Sequence, residues 1–438
     1  MKFDLAIRNG VAICATPENP VIQGACVAVR DGRIVRIGAE SPEAPPPDAV
    51  ETIDARGGLI LPGLVNAHTH LPMTLFRGLA DDLPLQAWLH DHIFPAETAH
   101  IRPETVRPAA RLACAELLLG GVTTCCDGYF LEDAVAEAVS ETGIRAVLGQ
   151  GVMDFPAPGV SDPARNVEHA ADFVRRWRGR AETIRPSIFC HSPYTCSADT
   201  LKRAKAAARK AGVLFQIHLA ETRDEAEGIR KEHGCGPAVY LDRLGILDAD
   251  TLLVHCVWLD EADIAVAAKR GCGAVHCPES NMKLASGVAP VPAMIAAGIP
   301  VGLGTDGAAS NNDLDIFGEM GTAARLHKVF SGDPTVLDAR TAIRMATLDG
   351  AKAIGLGHEI GSLEPGKRAD LIVVDAARPG MTPLHCAESQ AVYSANAGDV
   401  RDVVVGGRVV VRERELLTVD AEAILEEMRA WRRDSGIS

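Results

Sequence analysis

The sequence lacks an excess of positive charge, a long apolar run and any paired-cysteine motif, and each absence removes a class of function. Its 438 residues carry 44 Lys and Arg against 58 Asp and Glu, a formal net charge of −14. A field of that sign does not gather nucleic acid or an anionic membrane surface. The expected partner is therefore a small molecule, and an anionic group on it needs locally placed cations. No stretch approaches the ~20 uninterrupted apolar residues of a membrane span. The opening MKFDLAIRNG puts Asp4 and Arg8 where a signal peptide needs apolar residues. The 12 Cys are scattered, with Cys125 and Cys126 adjacent and no C-x-x-C pair. Neither a zinc ribbon nor a disulfide framework is expected, and buried reduced thiols in a cytoplasmic protein are.

What is present is the balance of a globular enzyme-sized chain: 47% hydrophobic and 23% charged residues. The first residues alternate short β-type runs with turn signals. Asn9-Gly10 and Asp31-Gly32 both predict hairpins, and the Pro-rich SPEAPPPDA predicts a surface loop. A similar texture returns late, in GSLEPGKRADLIVVD and DVVVGGRVVVRERE. Two distant β-rich ends flanking a long middle predict a small β-sandwich domain assembled from both, over residues 1–58 and 366–438, the second part ending in a helix.

The middle, residues 59–365, alternates differently. Apolar β-type segments recur as LILPGLVNA, GVTTCCDG, IRAVLGQGV, IRPSIFC, VLFQIHL, TLLVHC, GCGAVHC and IPVGLGT. Between them lie helical patterns such as PETVRPAARLACAELLLG and SADTLKRAKAAARKAG. Parallel strands buried on both faces read as continuous apolar runs joined by crossover helices. About eight such units in ~250 residues predict a (β/α)8 TIM-like barrel rather than an open doubly wound sheet.

Barrel enzymes carry their chemistry at the C-terminal ends of the strands. The first run ends in Asn66-Ala67-His68-Thr69-His70, which sets His68 and His70 on one face, one pleat apart. An isolated H-x-H is weak evidence. However, VLFQIHLAE adds His218 and Glu221, TLLVHC adds His255, GCGAVHCPESN adds His276, IPVGLGTDG adds Asp306, and IRPSIFCHSPY adds His191. Histidine at so many strand ends points to a shared metal. Imidazole and carboxylate ligands suit one divalent ion, zinc first, with iron(II) compatible. Such a site acidifies a bound water towards ~7 and so supports hydrolysis.

VGLGTDGAASNND also satisfies the G-x-G-x-x-G spacing at Gly302, Gly304 and Gly307. A dinucleotide loop should open its fold and be followed by a second strand and an acidic residue ~20 positions on. This loop comes last in the strand series and has neither. Its glycines are expected to serve a tight strand-to-helix turn that presents Asp306.

The strings PGLVNAHTHLPMTLFRGLADDLPLQAWL, IHLAET, LVHCVWL, SNMKLASGVAPV and GTDGAASNN resemble the amidohydrolase superfamily. Within it they are similar to the 5′-methylthioadenosine/S-adenosylhomocysteine deaminases, neighbours of the triazine hydrolases and guanine deaminases. The resemblance implies that His68, His70, His218 and Asp306 hold one metal. It further implies Glu221 as proton shuttle, His255 as hydrogen-bond partner of the attacking hydroxide, and Asp306 as both ligand and base. The fourth strand ends in Cys190 and His191 without the lysine of two-metal members, which implies a mononuclear site. Glu97 is implied as the ribose ligand, His191 as a nucleoside contact and Trp88 as a pocket wall.

The resemblance also implies two arginines for an amino-acid carboxylate on the substrate. One falls on Arg165, but the other falls on Gln150, a neutral amide that does not replace a guanidinium. Adenosine and 5′-methylthioadenosine are therefore expected ahead of S-adenosylhomocysteine. A deaminase or dechlorinase of guanine, oxidised guanine or a triazine is the nearest alternative. A decayed, non-catalytic scaffold should have lost a ligand or the shuttle, and none is missing. Cys277 and Glu279, in CPESN, stand out as unusual residues near the expected pocket. The sequence leaves assembly open, with a homo-oligomer among the admitted states.

Overall fold

The computed structural model describes residues 2–42 and 46–437. Both ends of the chain feed one nine-stranded mixed sheet. Its strands are β1 (Phe3–Ile13), β2 (Val21–Arg30), β3 (Arg33–Ala39), β4 (Ala49–Asp54) and β5 (Leu59–Pro62) from one end. The barrel strands follow: β6 (Leu64–Thr69), β7 (Val122–Tyr129), β8 (Arg145–Val152), β9 (Ile184–Cys190), β10 (Phe215–Leu219), β11 (Thr251–His255), β12 (Gly273–His276) and β13 (Val301–Leu303). From the other end come β14 (Leu371–Val374), β15 (Val400–Val405), β16 (Arg408–Arg412) and β17 (Glu415–Leu416).

The eight apolar runs of the sequence are the eight barrel strands, paired in parallel and in chain order. Apart from the half-buried Arg185, every residue in them is buried. Helices cover one face and packed side chains the other, which is why the runs do not alternate. The barrel closes where β6 meets the end of β13. A parallel bridge pairs Thr69 with Asp306, and the Asp306 N–H donates to His68 O at 3.1 Å. Asn66 reinforces the seam: its amide donates to Thr305 Oγ1 at 2.8 Å and its carbonyl accepts from Thr305 N at 3.2 Å. Closure of the barrel and placement of Asp306 are one event.

The glycine-rich loop differs from its expected role. The left-handed residue is Asp306 itself, at φ 61°, rather than any of the three glycines. Gly304 is needed for closeness: a Cβ there would stand 2.9 Å from both N and O of His68. The missing side chain lets the last strand lie against the first, so the spacing reflects packing and not a turn.

The sheet built from the chain ends runs β17-β16-β15-β14-β5-β1-β2-β3, with β4 on β1. It curls over a core of its own, in which Leu5, Ile7, Val27 and Val29 pack with Leu371, Val373 and Val404. The Asp31-Gly32 hairpin forms between β2 and β3, and its Gly32 O accepts from Ala369 N at 2.9 Å, tying the two halves together. Asn9-Gly10 forms no hairpin. It lies inside β1 as a bulge, with Asn9 at φ 57°, because Gly10 packs where a Cβ would stand 2.6 Å from Ile60 Cδ1. Residues 43–45 of the Pro-rich stretch lie outside the described residues; Ser41, Pro42 and 46–48 are not strand, and its last residue, Ala49, opens β4. Among the described residues, no helix is long and apolar enough to cross a membrane.

Candidate active site

Four of the strand-end groups converge, while His276 turns away and pairs with His327 at 3.2 Å. The donor atoms of His68, His70, His218 and Asp306 all lie within 4.8 Å of one another, and all four residues are buried. His68 Nε2 stands 3.2 Å from His218 Nε2 and 3.5 Å from Asp306 Oδ1, while His70 Nε2 is 3.2 Å from the same oxygen. His70 Nδ1 lies 2.6 Å from the carbonyl of Gly128. A carbonyl only accepts, so the proton sits on Nδ1 and the Nε2 lone pair faces the cluster. Burial lowers His68 to about 4 and, with the neighbouring histidines, takes His218 well below the usual range. The Nε2 atoms of His68 and His218, 3.2 Å apart, meet as donor and acceptor or, with both lone pairs turned inward, share a cation. The donor set, three nitrogens and a carboxylate oxygen, fits one divalent ion.

Asp306 is held from the far side. Ser280 Oγ and Ser310 Oγ donate to its Oδ2 at 2.8 and 2.7 Å, leaving Oδ1 for the cluster. Burial opposes its charge, but its close contacts with His68 and His70 outweigh burial and hold the carboxyl well below its ordinary value.

Glu221 Oε2 lies 3.9 Å from His255 Nε2. Burial, then the charges of Asp306 and Glu225, push the Glu221 carboxyl well above the ordinary range. Burial lowers His255 to about 3. Asn281 presents its amide nitrogen to His255 Nδ1 at 3.2 Å, which leaves the ring proton on Nε2, towards Glu221. Four non-glycine residues at these strand ends adopt left-handed conformations: Ala220 (φ 54°), His255 (φ 70°), Cys256 (φ 55°) and Asp306 (φ 61°). Such backbone costs on the order of 1–3 kcal/mol and persists only where the surroundings fix it.

The cavity over the cluster is roofed by the helical segment Leu85–His100, which contributes Leu85, Trp88, Ile93, Phe94 and Glu97. Trp88 is buried and lines the cavity. The Glu97 carboxyl is buried, accepts from the Tyr129 hydroxyl at 2.5 Å, and is raised to about 7 by burial, against that hydrogen bond and the charge of His70. His191 lines the same cavity, with its ring centroid 5.1 Å from that of His218 and its Nδ1 3.1 Å from Thr195 Oγ1.

Two expected substrate contacts stand apart. Gln150 does not line the cavity, and its carbonyl accepts from the N–H of Glu132 at 3.2 Å. Arg165 is exposed and pairs with Glu168 at 3.3 Å. Among the described residues, no Lys or Arg lines the cavity. The unusual residues of CPESN also point elsewhere. Cys277 packs in the barrel core with Val65, Val254 and Val275, and Glu279 accepts from Thr322 Oγ1 at 2.6 Å outside the cavity. Their neighbours Ser280 and Asn281 are the ones that reach the site. Ser280, Asn281, Ser310 and Tyr129 escape a reading that follows only histidine and carboxylate. Ser280, Asn281 and Ser310 lie in the strings that carry the family resemblance, whereas Tyr129 is marked only by its place at a strand's C-terminal end.

The amidohydrolase family profile matches residues 59–410. The chain is 44% identical over 428 residues to a 5-methylthioadenosine/S-adenosylhomocysteine deaminase of Syntrophobacter fumaroxidans, covering 98% of this chain and 97% of that one. It is 42% identical over 427 residues to a 5′-deoxyadenosine deaminase of Methanosarcina mazei, covering 97% and 96%. Among solved structures, an adenosine deaminase from Xanthomonas campestris with bound zinc superposes with a TM-score of 0.95 at 40% identity, covering 99% of each chain. The strand-end histidines, the closed barrel and these matches agree, and the chain belongs to the amidohydrolase family.

Proposed function

We propose that the protein is a metal-dependent hydrolytic deaminase of adenine nucleosides, converting them to the inosine analogues and ammonia. The observation that carries this reading is one cavity holding three things. They are the four-ligand cluster, which reaches the cavity through His70, His218 and Asp306, a protonatable carboxyl at Glu221, and a second buried carboxyl at Glu97 suited to the hydroxyls of a ribose. The names of the relatives, which are deaminases of adenosine and its 5′-substituted forms, support it.

His68, His70, His218 and Asp306 would hold the ion, and zinc is our choice from the ligand set and the zinc of the related structure. What an ion held by these four residues would supply is hydroxide at neutral pH, by acidifying a water. Glu221 takes the released proton and delivers it to N1 of the adenine ring. Hydroxide adds at C6, where the Nε2–H of His255 donates to the developing oxyanion. Asp306 relays the remaining proton to the 6-amino group, which leaves as ammonia. Glu97, oriented by Tyr129, accepts from the ribose hydroxyls, and Trp88 and His191 flank the nucleoside.

The cation-free lining supports a ranking among substrates. An amino-acid carboxylate on the 5′ substituent meets no guanidinium, whereas a hydroxyl, hydrogen or methylthio group meets the apolar wall of Phe94, Phe130 and Met153. Adenosine, 5′-deoxyadenosine and 5′-methylthioadenosine are therefore placed ahead of S-adenosylhomocysteine. The test is ammonia release from those four compounds, guanine and a chlorotriazine, with metal analysis of the same preparation. Activity confined to guanine or the triazine overturns the nucleoside reading. S-adenosylhomocysteine as much the best substrate overturns the ranking.

A further inference from the structure

We infer that Glu225 is a positioning residue for Glu221, its carboxylate clamping the two consecutive backbone N–H groups that set where the proton carrier points. Oε1 accepts from the N–H of Ala220 at 2.8 Å, and Oε2 accepts from the N–H of Glu221 at 3.0 Å. These amides span the step between β10, which carries His218, and the carboxyl that shares its cavity.

That step is the strained one. Ala220 stands at φ 54°, a conformation a residue with a Cβ holds only when its surroundings fix it. An extended chain would alternate its side chains across the strand, while the left-handed residue turns Glu221 back into the cavity beside His255. Other bonds pin the same segment: Ala220 O accepts from Trp258 N at 2.9 Å, and Leu219 O accepts from Cys256 N at 3.1 Å. These hold the carbonyls, and among the described residues Glu225 takes the two N–H groups.

The chemistry of the clamp is specific. Two parallel N–H donors require two acceptor oxygens on one rigid group, which a carboxylate provides and an amide does not. Glutamine would satisfy one donor and bring its own N–H against the other. Glu225 is itself fixed, because it lies in the first turn of the helix Arg223–His233 and its N–H donates to Thr222 Oγ1 at 3.2 Å. It is buried and lies outside the cavity lining, so it acts through Glu221 and not on the substrate.

The inference rests on Glu221 carrying the proton, so the experiment is a double-mutant cycle of Glu225→Gln and Glu221→Gln, assayed on adenosine with metal content measured for each protein. Glu225→Gln is expected to lower kcat roughly 10- to 100-fold while metal content stays at the wild-type level. Its KM should stay within about twofold of wild type, since the lost interaction positions a group used in the transition state. Added to Glu221→Gln, it should lower the residual rate no further. Wild-type kcat in Glu225→Gln, loss of metal, or an equal loss in both backgrounds overturns the clamp. Full turnover by Glu221→Gln refutes the proton-carrier reading instead. Should Glu225→Gln fail to fold, Glu225→Asp keeps both oxygens and withdraws them by one methylene. It must then show the same kcat-specific loss in the same cycle, and wild-type kcat there overturns the clamp as well.

Discussion

The hydroxyl of Ser280, just past β12, donates to Oδ2 of Asp306 at 2.8 Å, and Ser310 donates to the same oxygen at 2.7 Å. Two hydroxyls thus occupy one carboxylate oxygen and aim the other, Oδ1, at His68 and His70. A hydrogen bond to a charged group contributes about 1.5–3 kcal/mol. The double variant Ser280→Ala/Ser310→Ala is therefore expected to bind its metal at least ~10-fold more weakly, by the same principle. Competition with a chromophoric chelator measures this directly. Wild-type affinity in the double variant would mean that the serines do not orient the ligand.

Glu221→Gln separates proton transfer from metal binding. The amide fills the same space but carries no transferable proton, and Glu221 is not among the four clustered donors. Metal content should be unchanged, while kcat for adenosine falls by about 10²–10⁴, the range of general acid–base catalysis. Retained turnover would remove Glu221 from its assigned role.

Much of this site is legible in the sequence because histidine is rare in buried apolar runs. His68, His218 and His255 betray strand ends that no periodicity marks. Residues that act through hydroxyls or amides, such as Ser280 and Tyr129, leave no such trace, since serine and tyrosine occur everywhere. Asn9-Gly10 shows a further limit: the dipeptide suits a hairpin and a bulge equally, and the packing of Ile60 against Gly10 chooses between them. Gln150 and Arg165 show another, because alignment to a family fixes a position in the chain and not the direction of its side chain.

The Glu97–Tyr129 pair predicts a pH dependence. Burial raises the Glu97 carboxyl to about 7. Above that value it is an anion that accepts from ribose hydroxyls, and below it the neutral acid accepts less well. For adenosine, kcat/KM should therefore fall as pH drops through about 7. Tyr129→Phe removes a donor to the charged form, so the falling limb should move to higher pH. The comparison substrate is 2′,3′-dideoxyadenosine, which lacks both hydroxyls. A limb of the same position and depth with this compound would assign the titration elsewhere.

A second carboxyl pair predicts a pH dependence of stability. Glu132 is buried, and burial followed by the neighbouring charge of Asp127 pushes it well above its ordinary value; burial raises Asp127 to about 6. Glu132 is thus a neutral acid in the folded protein, whereas in the unfolded chain it titrates near ~4.3. An acid whose folded value is raised favours the fold fully below its unfolded value, and that advantage is lost as pH rises towards the folded value. Each pH unit in that window removes up to about 1.4 kcal/mol. Glu132→Gln keeps the shape and cannot ionise. Its Tm relative to wild type should consequently improve as pH rises above ~4.3 towards the folded value, as thermal unfolding across a pH series measures. A difference that stays constant with pH would mean that Glu132 is already ionised in the folded protein.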